Sequence, residues 1–223
     1  MREIILDTET TGLDLKMGHR LVEIGAVELM NHTPTGVNYQ TYINPERDVD
    51  PGAQEIHGLT TEFLKQQPTF SDISAEFINF LSDSTLIIHN APFDLGFINM
   101  ELSNLGLASI HSERVIDTLL LARKKFPGAQ ASLDALCRRF SIDNRHRDLH
   151  GALVDAALLA DVYIELIGGK EPTLGLSATK PKMVAADTTR VYREPRSFPV
   201  SEEELELHRA FVETLVNPIW GKT

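Results

Sequence analysis

Glu3-Ile4-Ile5-Leu6-Asp7-Thr8-Glu9-Thr10-Thr11-Gly12 is the stretch on which the reading of this chain turns. The apolar run Ile4 to Leu6 gives way to a polar Thr/Gly turn, so Glu3 to Asp7 reads as a buried strand whose end faces a site. Side chains two apart on a strand share a face, and Asp7 and Glu9 therefore present two carboxylates together. An ordinary turn uses Asp, Thr and Gly to bond its own backbone. Hard divalent cations, the rival explanation, collect oxygen ligands from one or two carboxylates and a substrate phosphate. The stretch alone leaves both open.

Outward from it, Val22 to Leu29 and Asn38 to Ile43 read as two more strands, separated by the turn-like Asn31 to Gly36 with its Pro34. Phe70, Ile73, Phe77, Phe80 and Leu81 then recur at helical spacing, and Thr85 to His89 reads as a strand again. Asp94 to Leu105, Thr118 to Lys125, Ser132 to Phe140 and Ala152 to Ile167 are helical candidates, with Val115 to Asp117 as a last short strand. Helices alternating with strands after a three-stranded meander predict an α/β fold with a mixed sheet over residues 1–170.

Residues 171–200 contain Pro172, Pro181, Pro195 and Pro199 without a sustained hydrophobic period, and they read as a flexible linker. Order is expected to resume at Ser201-Glu202-Glu203-Glu204, a capping box in which hydroxyl and carboxylate satisfy each other's backbone amides. Leu207, Phe211 and Leu215, flanked by Val212 and Val216, give the 201–223 segment an apolar stripe. A short isolated helix is marginal in water, so the stripe calls for a partner surface.

Composition narrows the function classes. The 223 residues, 42% apolar and 24% charged, suit a globular protein. No bilayer-spanning run and no signal peptide are evident, and the lone Cys137 disfavours disulfide or thiolate-metal chemistry, so a cytoplasmic protein without a membrane partner is expected. The formal charge of −11 repels polyanions, and a nucleic-acid partner has to be drawn in by cations, local features or a tether. The linker is the basic exception, with five Lys or Arg against three acidic residues.

Two further constellations carry chemistry. His89-Asn90-Ala91-Pro92-Phe93-Asp94 ends the fourth predicted strand. Asp94 alone could be a helix N-cap and Phe93 alone core, but with Asn90 they offer amide, aromatic face and carboxylate at one mouth, suited to a stacked base and a metal-bound phosphate. His150-Gly151-Ala152-Leu153-Val154-Asp155 opens the last helix of the domain, and Asp155 falls on its buried side. A buried carboxylate needs a cation or a base. His150, five residues earlier, is more often a capping residue in isolation; beside several carboxylates it suits a general base.

D-x-E, then N-A-P-F-D, then H-x-x-x-x-D, in that order, resembles the DEDDh family of 3′–5′ exonucleases over roughly residues 1–170. The resemblance implies an RNase H-like fold, here a mixed five-stranded sheet flanked by helices, and a site of Asp7, Glu9, Asp94, His150 and Asp155. It implies two divalent cations, Mg2+ or Mn2+, held by Asp7, Glu9, Asp155 and Asp94, with His150 as base. Glu55 to Leu59 looks like the family's loop element whose apolar residue, Ile56, wedges between terminal bases and whose His57 borders the last nucleotide. Thr10, Thr11 and Gly12 would supply backbone or hydroxyl contacts to the terminal sugar and phosphate, beside Asn90 and Phe93. The tail resembles the proofreading branch, which acts on single-stranded or frayed DNA 3′ ends and binds a replicative polymerase catalytic subunit through a C-terminal helix, here residues 201–223. Residues 171–176 stand where that branch carries a sliding-clamp peptide, with Glu171 in place of the usual Gln and Leu176 last. RNA 3′-end trimming predicts no such tail, and a non-catalytic adaptor leaves His150 among the carboxylates unexplained.

Overall fold

The computed structural model describes residues 1–144, 150–168 and 199–216. By contacts the chain divides into two units, Met1–Leu174 and Gly175–Thr223. In the first, β1 (Arg2–Thr10), β2 (Leu21–Met30) and β3 (Thr33–Tyr42) form the antiparallel meander. The chain continues through α1 (Pro51–His57), α2 (Thr61–Leu64), α3 (Phe70–Leu81), β4 (Thr85–Ile88), α4 (Ala91–Asn104), β5 (Val115–Asp117), α5 (Thr118–Lys125), α6 (Leu133–Phe140) and α7 (Ala152–Ile167). The sheet order is β3-β2-β1-β4-β5, with β4 parallel to β1 and β5 parallel to β4.

Alternation along β1 builds a core on each face. Ile4 and Leu6 join Ile24, Phe70, Phe77, Phe97 and Ile98 beneath α3 and α4. Ile5 joins Val27, Leu29 and Ile87 against Ala156, Leu159, Ala160 and Tyr163 of α7. By the same alternation Asp7 and Glu9 lie on the α7 side of the sheet. Burying large apolar side chains on both faces contributes roughly 1.5–3 kcal/mol each, and this is the main force that closes the sandwich.

One close approach fixes where α7 starts. Gly25 of β2, directly opposite Asp7 in the ladder, lies so near the Ala152–Leu153 peptide that a Cβ would come within 2.1–2.5 Å of its backbone atoms. Only a residue without a side chain lets the first turn of α7 rest on the sheet there.

Three elements differ from the sequence reading. The hairpin turn is only Asn31-His32, both at positive φ, and β3 begins at Thr33 with Pro34 inside it. Proline is tolerated because β3 is an edge strand. Residues 51–64 hold two short helices where no helix was expected; Glu55 to His57 end α1 rather than forming a loop, and Gly58 closes it at φ 75°. Helix α4 starts at Ala91 with Asn90 as its left-handed cap, so Asp94 lies in the first turn and is not the N-cap.

In the second unit, α8 (Glu202–Glu213) begins with the Ser201/Glu204 capping box. Glu204 N donates to Ser201 Oγ at 3.3 Å and Ser201 N to the Glu204 carboxylate at 3.1 Å. Leu207 and Phe211 are exposed on it. Nearly all of the predicted linker, the 171–176 peptide and residues 217–223 lie outside the described residues.

Gly25→Ala should cost about 1–3 kcal/mol in denaturant unfolding, the scale of core overpacking, because the added methyl meets backbone that cannot rotate away. A change below about 0.5 kcal/mol would show that α7 can lift without penalty.

Candidate active site

Strand β1, the loop before α7 and α7 itself bring Glu9, His150 and Asp155 together. Glu9, His150 and Asp155 each place a potential ligand atom within 4.8 Å of the others. Asp155, in the first turn of α7, is 3% exposed, and its Oδ2 lies 3.3 Å from His150 Nδ1. Asp7 is two residues before Glu9 on the same strand. Asp94 comes from α4, is buried, and accepts a 2.7 Å hydrogen bond from Thr8 Oγ1. Burial pushes its carboxyl up to about 7; the Thr8 hydroxyl and backbone amides pull the other way, and Asp117 adds to the rise.

Two residues missed in the sequence hold this group in place. Gly151, the N-cap of α7, has no side chain to cap the helix, and Glu23 of β2 takes that role by accepting from Ala152 N at 3.1 Å. Gln40 Nε2 donates to its other oxygen at 2.8 Å. Burial raises the Glu23 carboxyl above its usual range, Gln40 and Ala152 oppose this, and the charge of Asp155 adds to it. A lone acid within the apolar run Leu21-Val22-Glu23-Ile24 was the available signal. His150 is anchored through its backbone, which donates to the Ile56 carbonyl at 3.1 Å.

A cavity of about 640 Å3 opens beside Glu9, walled by Thr10, Gly12, Ile56, His57 and Phe93. Leu13 and Met17, 78% and 70% exposed, form an apolar lip on it with Ile56. His57 is buried; its Nδ1 accepts from Leu59 N at 3.0 Å, which leaves the ring proton on Nε2. Burial lowers the basicity of this imidazole, the Thr10 carbonyl opposes that, and His150 reinforces it. The Thr10 carbonyl is near enough to be felt, yet Nε2 has no partner of hydrogen-bond geometry among the described residues. Asn90 faces a neighbouring cleft of about 650 Å3 with His89, Arg123, Gln130 and His150. Thr11 corrects the sequence reading: it is fully buried, its hydroxyl is used by His19 and Arg20, and only its neighbours reach the cavity.

Carboxylate oxygens gathered this closely, on a buried helix start, fit a hard divalent cation better than they fit one another. The Exonuclease family (RNase_T) matches residues 4–163. The chain belongs to this exonuclease family. It is 50% identical to DNA polymerase III subunit epsilon of Rickettsia typhi over 97% of each chain. Identity to the subunit of the same name from Pasteurella multocida is 45%, over 83% of this chain and 78% of that one. Among solved structures, exonuclease X in complex with 5′ overhanging duplex DNA aligns with TM-score 0.58 and 27% identity, over 74% of this chain and 90% of the other. The nuclease domain of 3′hExo, a DEDDh family member bound to rAMP, shares the fold at TM-score 0.65 and 18% identity, over 74% and 91%. The mixed five-stranded sheet flanked by helices is thus the RNase H-like fold of this family. DEDDh exonucleases depend on divalent metal, and Glu9, His150 and Asp155 form a possible site for it.

Asp94 has a pH signature. Its folded-state pKa lies above the unfolded value, so its contribution is intact below about pH 4 and declines as pH rises through about 7. In metal-free protein, Asp94→Asn, which keeps an acceptor for Thr8, should gain about 2–4 kcal/mol over wild type at pH 8 and little at pH 4. Denaturant melts at the two pH values check this; equal differences at both would refute it.

Proposed function

We propose that the chain is the 3′–5′ proofreading exonuclease of a bacterial replicative DNA polymerase, hydrolysing mismatched 3′-terminal deoxynucleotides. The observation that carries this is the convergence of Glu9, Asp155 and His150, with Glu9 also lining the cavity of about 640 Å3 and His150 the neighbouring cleft, in a chain alike along 97% of its length to subunits named epsilon. Asp7, Glu9, Asp155 and Asp94 would hold two divalent cations, Mg2+ or Mn2+. Bound there, such ions would supply positive charge to offset the negative charge that builds up as the phosphodiester is hydrolysed.

The chain's own groups do the rest. His150 accepts a proton from the attacking water, and Asp155 Oδ2, 3.3 Å from Nδ1, stabilises the imidazolium that forms. The Phe93 ring offers a face to the terminal base, Ile56 wedges beside it, and the Nε2 proton of His57 meets an acceptor on the nucleotide. The cavity admits an unpaired end, so a mismatch is favoured by its lower melting cost.

Residues 1–170 then serve as the exonuclease domain, 171–200 as a tether and 201–223 as the polymerase-binding segment, with Leu207 and Phe211 of α8 laid into a groove of the catalytic subunit. A tether makes capture of a frayed end effectively intramolecular, at concentrations approaching ~mM, which offsets the repulsion from a −11 chain. Residues 171–176 are the candidate sliding-clamp contact. This assignment places the protein in the bacterial cytoplasm; no helix among the described residues is long and apolar enough to cross a membrane.

Asp7→Ala should abolish Mg2+- and Mn2+-dependent shortening of 3′-labelled DNA, while His150→Ala should lower turnover about 10²–10⁴-fold with Mn2+ affinity retained. Substantial cleavage by Asp7→Ala at saturating metal would overturn the two-metal site, and preference for RNA over DNA would move the chain to 3′-end trimming. Deleting residues 201–223 should leave cleavage of short single strands intact and eliminate co-purification with the polymerase catalytic subunit. Equal recovery with and without the segment would refute that role.

A further inference from the structure

Beneath the Thr10–Gly12 turn lies an imidazole that the nuclease chemistry does not use. His19 is 3% exposed. Its Nδ1 is 3.0 Å from Thr11 Oγ1 and its Nε2 is 3.5 Å from Asp50 Oδ2. Arg20 N already donates to Thr11 Oγ1 at 3.0 Å, so the hydroxyl proton is available to Nδ1 and the ring proton falls on Nε2, toward Asp50. The ring also fills the space under Gly12, where a Cβ would stand 2.4–2.7 Å from its atoms.

The two partners belong to opposite walls of the cavity. Thr11 sits in the turn whose neighbours Thr10 and Gly12 line one side; Asp50 is the N-cap of α1, whose Ala53, Ile56 and His57 line the other. A backbone hydrogen bond, Asp50 N to Thr11 O at 3.1 Å, ties the walls once, and the Thr11–His19–Asp50 chain ties them a second time from below. Ala53 of α1 also packs against Val22 and Val49, and Ile56 O accepts from His150 N, but α1 is a single short helix, and the β1–β2 ladder shifts register between Glu9 and Thr10, just before the turn that these two ties hold to it.

We infer that His19 is a positioning residue which sets the width of the nucleotide cavity, bridging Thr11 and Asp50 so that the turn and α1 grip a 3′-terminal nucleotide without rearrangement. The inference rests on the nuclease reading above. It acts on grip, because neither His19 nor its partners are among the residues that carry the hydrolysis, and a preformed site spares the substrate the ordering cost of forming one.

The test is steady-state hydrolysis of a 3′-labelled single-stranded DNA oligonucleotide by the full chain with Mn2+. Wild type is compared with His19→Gln and Thr11→Val, alongside Mn2+ affinity by electron paramagnetic resonance and thermal melting. Each variant should raise KM about tenfold with kcat within about threefold of wild type and Mn2+ affinity unchanged, while Thr11→Ser, which keeps the hydroxyl, behaves as wild type. Folded variants with KM within about twofold of wild type would make His19 mere filling and overturn the inference; so would a loss of kcat and of Mn2+ affinity alongside the rise in KM, which would place its effect at the metal-binding carboxylates. Should His19→Gln fail to fold, Thr11→Val decides, since it leaves the ring in place. An inactive wild-type protein would remove the nuclease reading and this inference together, whereas an active wild type with unaltered variants removes the inference alone.

Discussion

The contact between Gly25 and the Ala152–Leu153 peptide governs the site more than any charge does. Because β2 has no side chain at that point, α7 begins against the sheet, and its first turn carries Asp155 to the strand that bears Asp7 and Glu9. Raise the helix by the radius of a methyl group and the carboxylates no longer converge. Glu23, two residues before Gly25 on β2 and paired with Glu9, caps the same helix start, so a single short segment of β2 fixes both the height and the start of α7. Asp7, Glu9, Asp94 and Asp155 stand on rigid strands and helices, and only His150 is carried by a loop, tied down through its backbone to Ile56.

Convergent acids carry a standing cost. Asp94 and Glu23 are both held above the ordinary carboxylate range, chiefly by burial, and each leans on a neutral donor: the Thr8 hydroxyl for one, the Gln40 amide and Ala152 N–H for the other. Elsewhere in the first unit the same problem is solved with cations, as where Arg20 clasps the buried Glu101 with two 2.6 Å bonds. Asp94 and Glu23 rely on the hydroxyl and amide donors instead.

The convergence of Glu9, His150 and Asp155 could be anticipated because each stands against a background that makes it conspicuous: a charge at the end of an apolar strand, an acid just inside a helix start, a histidine before a buried turn. The sheet was legible for a similar reason, with period-2 apolar runs that only a core explains. What escaped was short or non-local. Helix α1 has seven residues and no apolar period; Pro51 at its start and Gly58 beyond its end are weak marks, and its position depends on Thr11 and His19 far away in the chain. Pro34 suggested a turn, yet an edge strand can hold it. Thr11 looked like its neighbours in sequence, and only the buried His19 beneath it shows that its hydroxyl turns inward.

The lip of Leu13, Met17 and Ile56 sets how such a chain meets its substrate in solution. Most proteins that hold polynucleotides exchange lysine and arginine for the counterions of the phosphates, and their affinity falls steeply as salt rises. On the proposed reading this rim would meet bases with hydrocarbon, and the phosphates would find few cations to contact. Such binding would not weaken as salt rises, because salt screens the repulsion from a −11 chain, and it would discriminate against the stacked, paired duplex whose bases present no bare face.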